Sequence, residues 1–236
     1  MRETQRPGLI YIVFGAHSSG TSCVAGVLHH LGVSMGNRLI GYYGNNPETL
    51  CGFEDADLAA ICMRAVPITF NSVRIPLAHV EEQLRQWIQK RKQDHGLAVG
   101  GKHPLLCLFG NPLYRICGDS MRAVFVERPL ESSIRSIISR PDVRCLDIDK
   151  VITHMHWLDS EKRKFRESLP NEIKTVVSYE DLVADPEKHV RGIVEFLDYL
   201  PSEEQIKKAI YYVKPSLLHQ KKMTLDQWPM VEYVGI

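Results

Sequence analysis

The sequence lacks the features that mark several large classes of protein. Its 236 residues contain no apolar run long enough to cross a bilayer and no apolar signal core near the N-terminus, from which we expect a cytoplasmic protein without a membrane partner. Lysine and arginine (29) almost balance aspartate and glutamate (28), and a net charge of +1 provides no overall attraction for nucleic acid. Any anion-binding site must therefore depend on a local arrangement of residues.

The six cysteines and the two basic clusters predict no site of their own. No C-x-x-C pair and no metal-ligand spacing occurs, so we expect reduced thiols and no bound metal. Residues 90–92 ("KRK") and 162–166 ("KRKFR") lie in helix-like stretches, where clustered charges are typical of a solvated face.

Apolar runs that alternate with helical periods predict one α/β domain over residues 1–236. The predicted core strands are residues 9–14, 97–102, 123–127 and 174–179. The predicted helices are residues 21–31, 80–93, 130–140 and a helix that Asp185 caps with Pro186 at its first position. This alternation is typical of a three-layer α/β/α fold with a mostly parallel central sheet, in which ligands bind at the carboxyl ends of the strands.

Residues 36–57 are rich in Gly, Asn and Pro and predict a long irregular loop. Loops of this length in a compact domain are usually functional. We therefore expect residues 36–79 to form acceptor or lid loops.

The segment after the first strand has the pattern of a phosphate-binding loop without its lysine. Residues 15–22 read G-A-H-S-S-G-T-S, and a nucleotide-hydrolysing loop carries lysine at the position of Thr21. Backbone N–H groups and the helix dipole can still hold an oxyanion, and the hydroxyls of Ser19, Thr21 and Ser22 can donate to it. The alternative is a tight turn that needs glycine for geometry alone. The predicted anion-binding residues are Gly15, Ala16, His17, Ser18, Ser19, Gly20, Thr21 and Ser22.

A set of motifs in a common order resembles the sulfotransferases, particularly the bacterial and phage group with a loop of the form GMHRSGTS. The matching segments are "GAHSSGTS", "LHHLGVSMG", "NNPETLCGFEDADLAAI", "VVSYEDLVADPEKHVRGIVEFLDY" and "AIYYVKPSLLHQKK". The resemblance covers about residues 9–222 and implies a P-loop fold. It also implies the donor 3′-phosphoadenosine 5′-phosphosulfate (PAPS) and transfer of its sulfuryl group to a hydroxyl or amine. The acceptor would be a hydroxyl-bearing small molecule, a sugar or a modified nucleotide.

The chain departs from this group at Ser18, where the family has an Arg or Lys near the bridging oxygen of the donor. Serine cannot neutralise developing charge, so a donor-binding protein that has lost catalysis is one alternative. Lys102 ends a predicted strand and is expected to supply the missing cation. We predict His103 as the general base, with His17 in reserve and Glu54 third. In the competing interpretation His103 only turns the chain.

The family binds the donor's 3′-phosphate with the pattern R-x-P-x-x-x-x-x-S. Arg128 and Ser136 keep the eight-residue separation, and we predict that they bind this phosphate. Aligning Pro129 with the family's proline instead puts Glu127 and Arg135 at the two positions, where a glutamate would repel a phosphate.

Four arginines after the third strand favour a second class of enzyme. They are typical of a nucleotide-kinase lid, in which arginines clamp the phosphoryl group. Such a kinase would use ATP and Mg²⁺ on a nucleotide, a nucleoside or a hydroxymethylated base, and only here would nucleic acid be a partner. The four are Arg128, Arg135, Arg140 and Arg144.

Overall fold

The structure is a computed structural model that describes residues 8–40, 52–66, 73–95, 98–140, 143 and 146–213. The strands are β1 Leu9–Phe14, β2 Leu39–Ile40, β3 Glu54–Asp55, β4 Ala98–Lys102, β5 Met121–Glu127 and β6 Lys174–Ser178. The helices are α1 Thr21–His30, α2 Ala56–Ala65, α3 Leu77–His95, α4 Gly110–Cys117, α5 Leu130–Ile138, α6 Ile148–Ser168, α7 Tyr179–Ala184, α8 Pro186–Phe196 and α9 Glu203–Tyr212. The last predicted motif continues past residue 213, outside the described residues.

Four parallel strands form the central sheet in the order β4-β1-β5-β6. In this sheet Val13 is in register with Lys102, and Phe14 is in register with Phe125. Because β1 lies between β4 and β5, the segments that follow all three strands emerge at one edge of the sheet.

The sheet is covered on both faces, because alternate residues of a strand point to opposite sides. Ile10, Ile12 and Phe14 belong to a buried cluster that includes α2, α3, α4 and α6. Tyr11 and Val13 belong to a second cluster that includes α1, α8 and α9. The predicted three-layer α/β/α fold with a parallel sheet is confirmed.

Local signals located several helix ends correctly. The carboxylate of Asp185 accepts from the backbone N–H of Lys188, and Pro186 begins α8 as predicted. Gly32, with φ of 108°, follows α1 in the left-handed conformation that favours glycine. None of the helices in the described parts of the chain is both long and apolar enough to cross a membrane.

The predicted irregular loop over residues 36–57 is only partly correct. β2 and β3 pair in antiparallel fashion, and α2 begins at Ala56, within the region expected to be acceptor or lid loops. Asp55 explains this start, since its buried carboxylate accepts from the backbone N–H groups of Asp57 and Leu58 and from the indole of Trp87. The Gly, Asn and Pro content of residues 36–57 favours a loop and does not indicate the β2–β3 pair.

The prediction of solvated basic clusters is wrong for two of their residues. Arg91 is 2% exposed and donates to the backbone and side-chain oxygens of Ser34. Lys162 is also 2% exposed and forms ion pairs with Glu127 at 3.1 Å and Asp159 at 3.0 Å. Both charges are buried because each has polar partners on a neighbouring element.

Candidate functional site

The glycine-bounded loop lies at the carboxyl end of β1 and leads directly into α1. Ser18 has a φ of 58°, and the Ser19 hydroxyl donates to the Ala16 carbonyl at 2.7 Å. Gly20 has a φ of 94°, and a Cβ at this position would overlap the ring of Tyr179. The second glycine is therefore required both by the backbone conformation and by close packing.

Among the residues that the structure describes, no side chain caps the first turn of α1. Gly20, at the N-cap, provides no side-chain acceptor, and the first turn contains no acidic residue. Its N–H groups and the positive end of the helix dipole therefore face the loop without a negative partner from this turn, as an anion-binding helix start requires. Ser19 and Thr21 are buried, and the Ser19 hydroxyl bonds within the loop.

Lys102 brings a cation to the loop from the adjacent strand β4. Its Nζ lies 3.2 Å from the Ser22 hydroxyl and 2.5 Å from Oε1 of Glu54, and its side chain is 1% exposed. Burial alone would raise the pKa of Glu54, but Lys102 and His103 outweigh it and hold this pKa at about 2. The ammonium and carboxylate form a charged pair beside the start of α1.

Arg128 brings a second cation from the other side, directly after β5. Its Nη1 donates to the carbonyl of Ser18 at 2.7 Å, and its guanidinium lies 5.2 Å from the centroid of the Tyr179 ring. The Nε atom is buried and has no hydrogen-bond partner within the described ranges. The loop therefore lacks its own cation but is flanked by two, from the strands on either side of β1.

Glu127 and Arg128, the first residues of the two alignments of the arginine segment, have different surroundings. The Glu127 carboxylate accepts from Lys162 at 3.1 Å and from Arg166 at 2.8 Å, both on α6. Arg128, in contrast, contacts the loop. Ser136 is half-buried on α5, and Arg135 is exposed. Of the four arginines of the kinase alternative, Arg144 lies outside the described residues.

Both predicted histidines are neutral: His17 belongs to the loop, and His103 directly follows β4. Burial, followed by His154 and His103, lowers the pKa of His17 to about 3. Burial also lowers the pKa of His103 to about 4, with Glu54 opposing this shift. Nδ1 of His103 accepts from the backbone N–H of Leu105 at 3.2 Å, which assigns the proton of the neutral ring to Nε2. His103 therefore presents a donor, while it caps the short helix Pro104–Leu108.

Sequence reasoning did not single out His154. It lies on α6, is 6% exposed and has its ring centroid 5.7 Å from that of His17. The available signal was a histidine on the apolar face of a helix, next to the buried Met155 and one turn before the buried Leu158. This pattern usually indicates a core histidine. The ring contact with His17 depends on the tertiary structure and has no signal in the sequence.

Several solved structures with a similar fold are sulfotransferases. The chain matches sulfotransferase STF9 from Mycobacterium avium with a TM-score of 0.62 and 13% identity, over 94% of this chain and 73% of that one. It matches the sulfotransferase domain of the Synechococcus PCC 7002 olefin synthase with a TM-score of 0.53 and 15% identity, over 96% of this chain and 88% of that domain. It matches the sulfotransferase domain of the curacin biosynthetic pathway with a TM-score of 0.51 and 16% identity, over 86% of this chain and 77% of that domain.

The sequence itself matches no family model and no curated protein at a significant level. At 13–16% identity the structural likeness shows the fold, which is that of the sulfotransferases. The resemblance inferred from the motifs is thus confirmed at the level of the fold.

Proposed function

We propose that the protein transfers a sulfuryl group from PAPS to a hydroxyl or amine of a small acceptor, such as a sugar or a modified nucleotide. The observation that carries this proposal is the loop of residues 15–22 flanked by Lys102 on β4 and Arg128 after β5. An anion site with two neighbouring cations, one of them paired with Glu54, and no acidic residue in the first turn of α1 suits a donor that carries several negative charges.

The residues present fit this donor at both of its charged ends. The backbone of residues 15–22 would hold the 5′-phosphosulfate at the start of α1, with Lys102 beside it. Arg128 would bind the 3′-phosphate together with Ser136, and the unpartnered Nε of Arg128 supports an anion at this place. Glu127 would not repel that phosphate strongly, because Lys162 and Arg166 offset its charge.

The donor supplies the sulfuryl group: a bond forms between sulfur and the acceptor oxygen or nitrogen, and the bond from sulfur to the bridging phosphate oxygen breaks. Lys102 and the loop N–H groups would stabilise the negative charge that develops on the phosphate. The acceptor's proton would go to His17, whose imidazole is neutral and half-buried and which belongs to the loop of residues 15–22. The tautomer of His103 favours a different role from the predicted one, in which Nε2 donates a hydrogen bond to an oxygen of the transferring group.

Calorimetric titration with adenosine 3′,5′-bisphosphate tests the donor site. We expect binding that weakens by roughly 10- to 100-fold in Arg128→Ala, as for the loss of a charged hydrogen bond. Arg135→Ala, an exposed arginine on the same segment, is the matched control and should bind like the wild type. Binding of ATP with Mg²⁺ but not of the bisphosphate would refute the proposal in favour of the kinase.

Release of labelled sulfate from PAPS, with water as the acceptor, tests the chemistry. Slow release that Lys102→Met abolishes would support transfer. Bisphosphate binding with no release, and release gained in Ser18→Arg, would instead favour a donor-binding protein that has lost its catalytic cation.

A further inference from the structure

We infer that His154 is a positioning residue for His17: its Nδ1 accepts a hydrogen bond from the His17 imidazole, orients that ring and stabilises its protonated form after proton transfer. This inference rests on the proposed function, in which His17 takes the acceptor's proton. It assigns a role to α6, which none of the segments that resemble the sulfotransferases includes.

The first observation is an unsatisfied atom in a buried place. His154 is 6% exposed, and its Nδ1 has no hydrogen-bond partner in the described parts of the chain. A buried polar atom without a partner destabilises a protein, and most such atoms in native proteins are paired. A hydrogen bond that forms only during the reaction would explain why Nδ1 of His154 has no partner among the described residues.

The second observation is the distance to His17. The two ring centroids lie 5.7 Å apart, with an angle of 38° between the ring planes. A direct N–H···N bond between two imidazoles places their centroids about 5 Å apart. The observed centroid distance exceeds that of a bonded pair by less than about 1 Å, which is within the range of side-chain motion.

The charge states of the two rings are compatible with this bond. Burial lowers the pKa of both His154 and His17, so both are neutral at neutral pH, and one ring can accept what the other donates. Once His17 is protonated, Glu54 favours the imidazolium, whereas Arg140 and any positive charge on His154 or His103 oppose it. Burial keeps His154 neutral, so it exerts no such repulsion. A hydrogen-bond acceptor at Nδ1 of His154 would further stabilise the imidazolium of His17.

The third observation is that α6 is packed into the core around His154. Trp157 packs edge-on against its ring with 6.0 Å between the centroids. Met155 and Leu158 bury the same part of α6 in the core. Two turns further along, Lys162 attaches α6 to Glu127 at the end of β5. A helix packed into the core in this way can orient the ring of His17.

Nitrogen-15 NMR of the histidine rings tests this inference without an acceptor. We expect His17 to occupy one tautomer in the wild type, a mixture of tautomers in His154→Phe, and one tautomer again in His154→Asn, whose amide replaces Nδ1. His156→Phe is the matched control, because His156 is exposed on the same helix. A His17 spectrum that His154→Phe leaves unchanged would overturn the inference.

Two further measurements separate this inference from the proposed function. His154→Phe should bind adenosine 3′,5′-bisphosphate like the wild type, because the inference gives His154 a contact with His17 and none with the donor. It should release sulfate from PAPS at least about tenfold more slowly, with an unchanged KM for PAPS, and His154→Asn should restore most of the rate. Loss of bisphosphate binding in the wild type would refute the donor site, whereas normal binding with an unchanged rate in His154→Phe would refute the role of His154 alone.

Discussion

Removal of the Lys102 ammonium should destabilise the fold through the charge that it leaves behind. Lys102 is 1% exposed and Glu54 is 24% exposed, with 2.5 Å between Nζ and Oε1. Breaking a buried ion pair by removing one partner costs about 3–5 kcal/mol, because the other charge stays buried. Since Glu54 retains some contact with water, we expect Lys102→Met to lose about 3 kcal/mol, the lower end of that range.

This loss should depend on pH in a defined direction. In the wild type the pKa of Glu54 is about 2, below its ordinary value of 4.5, so the pair contributes stability above pH 4.5 that is lost as the pH falls through 2. Without Lys102, burial raises the pKa of Glu54, and the variant regains stability as the pH falls and the carboxyl takes up a proton. The difference between the two proteins should therefore be largest at neutral pH and smaller near pH 4.5.

Urea unfolding of four proteins tests this reasoning. Lys102→Met should unfold at lower urea than the wild type, with a thermal midpoint about 6–12 °C lower for a chain of this size. Lys102→Met combined with Glu54→Gln should be more stable than Lys102→Met alone, because no buried charge remains. Lys90→Met, which removes an exposed lysine 3.4 Å from Asp57, is the control and should change stability by less than about 1 kcal/mol. The reasoning fails if the double variant is no more stable than Lys102→Met, or if the loss is equal at both pH values.

Two other substitutions test the geometry of the loop and of His103. Gly20→Ala should destabilise the protein by about 2 kcal/mol and weaken bisphosphate binding, because φ of 94° and the Tyr179 ring both exclude a Cβ; wild-type values in urea unfolding and calorimetry would contradict this. His103→Ala should lose about 1 kcal/mol as a helix cap, while His103→Asn retains the cap. Because the pKa of His103 is about 4 in the folded protein and 6.5 ordinarily, its neutral form contributes stability that is lost as the pH falls from 6.5 through 4. His103→Asn should therefore lose less stability than the wild type over that range, and equal losses in acid titrations would show that this histidine is not buried.

Much of the fold follows from local sequence. The apolar run of residues 9–14 predicts β1, and Asp185 followed by Pro186 predicts the start of α8, because strand burial and helix capping depend on neighbouring residues. The position of Lys102 beside the loop was predictable for a similar reason. Parallel strands bring their carboxyl ends to the same edge, so a residue that ends one strand lies near the loop that follows another.

The burial of individual charges was not predictable in this way. The cluster at residues 162–166 has the composition of a solvated face, yet Lys162 is buried against Glu127. Its environment depends on how α6 crosses the end of β5, and helical periodicity does not contain that information.

The sequence alone predicted a three-layer α/β fold and a glycine-bounded loop without its own cation, since strands, helix ends and turns depend on residues that are close in the sequence. Tertiary structure decided which groups surround that loop. Arg128 meets Ser18 across 110 positions of the chain, and Lys102 meets Glu54 across 48. His154 approaches His17 only because α6 packs over the end of β1. Strand order and helix packing set these distances, and they result from the burial of the whole core rather than from any local pattern.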